Sequence, residues 1–289
     1  VNLTNVYGLP EALVRAIRND PYTGGGDISV TKLIDSPQVR VLRKQYGNAV
    51  VEDVSDRIWS LLGQAVHTIL ERAGEEEHVK VEERLFAEVL GWNVSGQYDR
   101  LDLHGTTLDD YKVTSTYSLG GKIEWERQLN CLRWLAVQNG YKVEKLRIVA
   151  ILKDWKKAKA KIDSSYPQVP VAVVQVPVWD LSEAYQYILD RVSIHQAAEQ
   201  GDVPECTDEE RWYSGTKFAL MKTGGKRAIK LFERKEDIGD IADGTFIEER
   251  PGVYRRCDDY CEVSGFCEQF QRGGRPESSN ASWEHGDSD

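Results

Sequence analysis

The chain has 289 residues, 40% of them hydrophobic and with 8 Trp and 13 Tyr, which supplies a sizeable core and excludes wholesale disorder. Its formal charge is −10, from 47 acidic and 37 basic residues, and it has no apolar run of the length, about 18 residues, that a membrane-spanning helix needs. The opening VNLTNVYGLPEALVRAIRND lacks the basic flank and apolar stretch of a secretory signal, so a soluble protein of a host-cell or prokaryotic cytoplasm, with no membrane partner, is expected.

Residues 1–50 read as helices and loops, interrupted by the turn-rich PYTGGGD at 21–27. Ser55 or Asp56 can cap a helix running to about Arg72, because Ile58, Leu62, Ala65, Val66 and Ile69 recur at helical spacing. From Val79 the period becomes that of strands. VKVEERLFAEVLG, WNVSGQYDRLDLHG and TTLDDYKVTS form a three-strand meander with Gly91 and Gly105 at its turns. A helix from about Gly121 to Asn139 stops at Gly140. KLRIVAIL (145–152) is a strand with an apolar centre, VAVVQVPVW is another, and Leu181 to Gln200 is a helix. The order helix, meander, helix, strand implies an α/β core with a mixed sheet. Composition shifts after Gly201. The expected divisions are an N-terminal helical segment at 1–50, a core at 51–200, a small cysteine-bearing subdomain at 201–270 and a disordered tail at 271–289.

A net-acidic chain is a poor polyanion binder on average, but here the charge is unevenly spread. Lys153 to Lys161 holds five lysines and one acid, and Lys217 to Lys235 holds seven basic residues and one acid. Either run can be a solvated face. KFALMKTGGKRAIKLF reads as a hairpin turning at Thr223 to Gly225, where Lys217, Lys222, Lys226 and Arg227 can line a phosphate path. Trp212, Tyr213 and Phe218 nearby can stack unpaired bases, or fill the subdomain's own core.

The meander carries the chemistry. Asp99 ends GQYD, while Asp110 and Lys112, two apart in a strand, share one face. A turn at His104 and Gly105 brings Asp99 opposite them. Converging carboxylates suit a hard cation such as Mg²⁺, and a lysine beside them can orient water and stabilise developing phosphorane charge. That is equipment for phosphodiester hydrolysis. Taken alone, an Asp-x-Lys pair reads as a salt-bridged strand surface. Gln128 shares a helical stripe with Cys131, Leu132 and Leu135, so it faces inward and needs a polar partner. Cys257, Cys261 and Cys267 crowd into CDDYCEVSGFC, which reads as metal binding rather than a disulfide framework. Cys206 lies in the loop-like VPECTDEE, and Cys131 sits in an apolar helical pattern. Four thiolates suit a [4Fe–4S] cluster or Zn²⁺ equally, and three unlinked thiols are the plain alternative.

GQYD, the eleven-residue step to DYK and the two flanking helices resemble the PD-(D/E)XK nuclease superfamily, and more narrowly its RecB-type and phage exonuclease branch, over roughly residues 29–270. The resemblance implies a restriction-endonuclease-like core, with a mixed central sheet flanked by helices. It implies a metal-dependent exonuclease of linear DNA, including single-stranded ends. Such an enzyme serves phage or mobile-element recombination or repair, alongside a recombinase or single-strand annealing protein. By the same resemblance Asp99 and Asp110 hold Mg²⁺ or Mn²⁺ together with the Tyr111 backbone carbonyl, and Lys112 positions the attacking water. His67 of LLGQAVHTILE completes the ligand set, with Gly63 one turn earlier leaving space above its ring. Gln128 matches the glutamine of the family's Gln-x-x-x-Tyr motif, whose tyrosine position is Leu132 here. The family's glutamate corresponds to Glu82 or Glu83 of EERL, with Glu82 the better match. The cysteine triplet resembles that of iron–sulfur nucleases, including the exonucleases of CRISPR adaptation, which favours the [4Fe–4S] cluster. Their N-terminal fourth cysteine is missing from ISVTKLIDSPQVRVL, which leaves Cys206. A structure-specific endonuclease or resolvase is the alternative on the same fold. A non-catalytic nucleic-acid-binding module is the alternative outside enzymes.

Overall fold

In the computed structural model, which describes residues 1–19, 24–73 and 76–273, the chain divides into two units. The first is Val1–Arg40 with Val51–Val203, and the second is Val41–Val50 with the described residues from Pro204 on. The segment expected at 1–50 is therefore not a body of its own, since its first forty residues belong to the first unit. The expected tail, 271–289, lies outside the described residues from 274 on. Among the described residues no helix is long and apolar enough to cross a membrane.

The first unit opens with β1 (Asn2–Thr4), α1 (Glu11–Arg18), β2 (Ile28–Ser29), α2 (Val30–Leu33) and the start of α3 (Pro37–Tyr46). β3 (Val51–Asp53) and α4 (Ile58–Glu71) follow, then β4 (Val79–Val81), β5 (Arg84–Val89), β6 (Trp92–Gln97) and β7 (Arg100–Asp102). The unit ends with β8 (Thr107–Thr114), α5 (Ile123–Gln138), β9 (Lys145–Leu152), α6 (Lys157–Ile162), β10 (Val171–Val176) and α7 (Leu181–Glu199). A five-stranded sheet runs β10-β9-β8-β7-β4. Its one parallel pair, β8 with β9, is joined through α5, and the other neighbours are antiparallel, so the fold is α/β with a mixed sheet.

The meander departs from expectation. Its first two strands each break once, at Glu82–Glu83 and at Tyr98–Asp99, and the halves join different sheets. β4 and β7 stay in the sheet of β8, whereas β5 and β6 pair with each other and β6 also pairs with β2. Neither break holds a glycine or proline, so no turn signal marks it in the sequence. The turn between β5 and β6 does carry one, with positive φ at both Leu90 (50°) and Gly91 (76°).

α5 supplies much of the core through Leu129, Cys131, Leu132, Leu135 and Ala136, all buried. It lies close to β6 because Gly96 has no side chain. A Cβ there would come 2.5 Å from Leu132 and 2.8 Å from Leu135. Leu132, where the family's motif has tyrosine, is thus a core residue. α4 also differs from its expected role. Its N-cap is Arg57, which makes no side-chain capping bond, rather than Ser55 or Asp56; Asp53, accepting from the Ser55 N–H at 3.0 Å, caps the short 3₁₀ turn (Val54–Arg57) that leads into it. Although α4 is largely apolar, none of its residues is buried. Ile58 and Leu61 pack against Val14, Ile17 and Val54, and Trp59, Leu62 and Ile69 are exposed.

The second unit contains β11 (Lys217–Lys222), β12 (Ala228–Phe232), β13 (Thr245–Arg250), α8 (Arg255–Asp259) and α9 (Glu268–Arg272), with β11 central in a three-stranded antiparallel sheet. Val41–Val50 is held within it by the Tyr46–Phe266 stack at 4.6 Å and the Arg43–Glu262 ion pair.

Two glycines should respond oppositely to alanine. Gly96→Ala forces a methyl into Leu132 and Leu135 and should cost about 1–3 kcal/mol of unfolding free energy. At Gly63, in α4, a Cβ meets nothing within 4 Å, so Gly63→Ala should gain up to about 1 kcal/mol from helix propensity. Denaturant melts of the two variants check both signs.

Candidate metal centre and cleft

The two strand breaks create the site. Glu82 adopts a left-handed backbone, φ 50°, which is costly for a residue with a side chain and re-aims it out of the strand's alternation. The breaks are stitched together by the Glu82 N–H donating to the Asp99 carbonyl at 3.1 Å and the Tyr98 N–H donating to the Glu83 carbonyl at 3.4 Å. The consecutive glutamates then part company. Glu83 accepts from the hydroxyls of Tyr98 (2.5 Å) and Tyr141 (2.8 and 3.0 Å). Glu82 accepts at Oε2 from Gln97 Nε2 at 2.6 Å, and Gln97 in turn accepts from Arg84 at 2.7 Å.

α4 brings His67 to the same place. Its Nδ1 lies 3.4 Å from Glu82 Oε1 and 3.4 Å from Asp99 Oδ1, and the three ligand atoms all fall within 4.8 Å of one another. Among the described residues this is the one such convergence of three. The Tyr111 ring meets the imidazole edge-on, centroids 6.3 Å apart, and helps fix its plane. Asp99 Oδ2 accepts from the Tyr111 N–H at 2.5 Å. Tyr111 thus contacts the trio through its backbone N–H.

β8 puts its adjacent aspartates into different surroundings. Asp109, to which no sequence motif assigns a role, is gripped by Arg147 at 2.6 and 2.9 Å and by Arg100 at 2.8 Å. The register pairs it with both arginines, Arg100 on β7 and Arg147 on β9, and that pairing was the available signal. Asp110 is 2% exposed. Its Oδ1 accepts from Lys112 Nζ and from Gln128 Nε2, each at 3.1 Å. Its Oδ2 lies 2.8 Å from the Lys112 ammonium in an ion pair but receives no hydrogen bond. Gln128 thus finds its inward polar partner.

Charge sharpens the description. Hydrogen bonds to Asp99 and then Glu82 raise the His67 pKa to about 10, against the opposing effect of burial. The two carboxylates therefore stabilise positive charge at this point, whether a proton or a metal ion supplies it. Burial is the largest cause that raises Asp110 to about 6. The Lys112 charge opposes that rise and Asp99 adds to it. For Lys112, burial pulls the pKa down, but Asp110 and Asp99 outweigh it and the net shift is upward. A donor set of one imidazole nitrogen and carboxylate oxygens, with the buried Asp110 carboxylate behind it, fits a divalent cation that accepts both donor types. An open cleft of about 1290 Å³ fronts the site, lined by His67, Gly63, Glu82, Asp99, Lys112 and Gln128 among others. Asp110 stands behind this wall.

The expected cysteines, Cys206, Cys257, Cys261 and Cys267, all lie in the second unit. Gln269 clamps the Cys206 backbone with two hydrogen bonds, at 2.9 and 2.8 Å, which tethers Cys206 beside α9, whose N-cap is Cys267. Arg211 hydrogen-bonds the Cys257 sulfur, and the Val263 N–H points at Cys261. Among the described residues no three of these sulfurs lie within 4.8 Å of one another. A zinc tetrahedron with Zn–S of about 2.3 Å needs edges near ~3.8 Å, so the sulfurs would have to move to close on zinc. Cys131 is separate: it is fully buried in the first unit and burial pushes its pKa up to about 12. The β11–β12 turn holds the expected basic residues. Lys222, Lys226 and Arg227 are exposed, and Lys217 pairs with Glu233.

No family model and no curated protein matches this chain. Among solved structures, a crystal structure of a protein designated SSO0001 superposes over 63% of this chain and 83% of that one, at 18% identity and a TM-score of 0.45.

Two substitutions separate the roles within the site. His67→Ala removes a half-exposed side chain from a helix without buried residues, so it should weaken Mn²⁺ binding at least tenfold by calorimetry and change the melting temperature little. Asp109→Asn leaves two guanidinium groups without their buried carboxylate, so it should cost about 3 kcal/mol of stability and leave Mn²⁺ affinity near wild type.

Proposed function

We propose that this protein is a metal-dependent deoxyribonuclease, an exonuclease that hydrolyses phosphodiester bonds at DNA ends during recombination or repair. The observation that carries this reading is the convergence of His67, Glu82 and Asp99 at the mouth of a cleft, beside a lysine fixed by a buried aspartate. His67, Glu82 and Asp99 would hold the cation, and Asp110 Oδ2, which receives no hydrogen bond, would offer a further oxygen. The imidazole donor favours Mn²⁺ over Mg²⁺. Bound there, the cation supplies Lewis-acid charge to the non-bridging oxygens of the scissile phosphate.

The chain's own side chains do the positioning. Lys112 reaches the cleft with its ammonium held by Asp110, so it can donate to the attacking water or to a phosphoryl oxygen while remaining charged. Gln128 fixes the Asp110 carboxylate from α5 and so keeps Lys112 aimed. Gln97 holds one oxygen of Glu82 and leaves the other facing His67. In the second unit, Cys206, Cys257, Cys261 and Cys267 would hold a [4Fe–4S] cluster as a structural staple, supported by the tethering of Cys206 to α9.

With Mn²⁺, the wild-type protein should degrade linear DNA and spare covalently closed circles. Cutting of the circles would point instead to an endonuclease or resolvase. Asp110→Asn and Lys112→Ala should each lower the rate on linear DNA by at least a hundredfold while folding is kept, and near-wild-type cleavage by either variant would falsify the assignment. Anaerobic purification should give brown protein with iron and acid-labile sulfide. Colourless protein with one equivalent of zinc identifies the other metal. Cys261→Ser should lose the metal and become protease-sensitive, whereas Cys131→Ser keeps it.

A further inference from the structure

We propose that Trp59, Tyr117 and the lysines from Lys153 form a platform that grips an unpaired nucleotide strand beside the cleft, so that the substrate end is single-stranded. This rests on the nuclease reading above. The geometry comes from β8 and β9, which run parallel, with Thr114 opposite Leu152. Ligands of such sheets bind beyond the carboxyl ends of the parallel strands. Lys112 is two residues, about 7 Å along the strand, from Thr114. The next residues of both chains are bonded together there. The Lys153 N–H donates to the Thr114 carbonyl at 2.9 Å, and Asp154 accepts from the Thr116 N–H and hydroxyl at 2.7 and 3.1 Å.

That junction carries two aromatic rings in the open. Tyr117, next to Thr116, is 89% exposed, and Trp59 is 60% exposed with Lys153 Nζ 3.8 Å from its ring centre. Trp59 lies eight residues before His67 on α4, which is about 12 Å along the helix. That is a few nucleotides from the metal centre. The five lysines from Lys153 to Lys161 are all exposed, and the one acid among them, Asp154, is engaged by Thr116. Exposed aromatic rings with a lysine against one of them match a sugar–phosphate chain bearing free bases. The rings stack on any base, the ammonium groups meet phosphates, and a duplex would keep its bases out of reach. An apolar protein partner would not call for an exposed lysine against the Trp59 ring with four more exposed lysines in the next eight residues.

The test uses the full-length protein without Mn²⁺ or Mg²⁺, fluorescence anisotropy, and two probes, a labelled oligo(dT) and a blunt hairpin duplex. Trp59→Ala should weaken oligo(dT) binding about tenfold and leave the hairpin within twofold, while Trp59→Phe keeps most of the affinity. Lys153→Gln should reduce the salt slope on oligo(dT) by about one. Both residues are exposed, so unchanged melting curves confirm that the variants fold. Equal affinities of Trp59→Ala and wild type for oligo(dT), or equal loss on both probes, overturn the platform while leaving the nuclease assignment intact if wild type still cleaves linear DNA. Wild-type protein that binds neither probe and cleaves nothing overturns both.

Discussion

Two neighbouring carboxylates on a central strand cannot both go into a protein interior unless each finds its own positive charge, and β8 meets that demand twice over. Asp109 takes three hydrogen bonds from Arg100 and Arg147, one from each adjoining strand, and Asp110 takes Lys112 and Gln128. An unpaired buried carboxylate would cost several kcal/mol. The Asp109 cluster therefore also ties β7, β8 and β9 together at the register that places Asp110 and Lys112. The guanidinium groups are a third or less exposed, so they are solvated enough to tolerate the charge and close enough to fix it.

What β8 holds still, the broken hairpin brings into range. A continuous strand through Glu82 and Glu83 would send their side chains to opposite faces of one sheet. With the break, Glu83 is locked between two phenols, and the same charge and burial raise the Tyr98 pKa, so that hydroxyl remains a donor. Glu82, freed from the ladder by its left-handed backbone, meets His67. Local strain here is offset by four hydrogen bonds across the break, two from backbone N–H groups and two from side chains.

Much of this was legible in the sequence where a single period governs a segment. β9, α5 and α7 fall where apolar spacing puts them, and the alternation of a strand is enough to set Asp110 and Lys112 on one face. The strand breaks were not legible, because they are set by tertiary pairing with β2 and β8 rather than by local turn residues. The choice between Glu82 and Glu83 depended on those breaks and stayed open for the same reason. α4 misled in another way. Its apolar spacing is that of a core helix, yet its open face borders a cleft, and spacing does not say whether a helix face meets a core or a space. Gln269 as the tether of Cys206 could not be read from spacing at all, since the two are 63 residues apart.

The membership of Val41–Val50 in the second unit has a consequence for biosynthesis. This segment emerges from the ribosome early, but its partners Glu262 and Phe266 are among the last residues described. The first unit can collapse as soon as Val203 is out, while the second stays incomplete until some sixty further residues have been made. During that interval Tyr46 lacks the ring it stacks on and Arg43 lacks its carboxylate. A nascent chain stalled or cut between the two units would carry this segment without its partners. Chaperones and proteases recognise incompletely packed chains, so such a chain would be selected for removal.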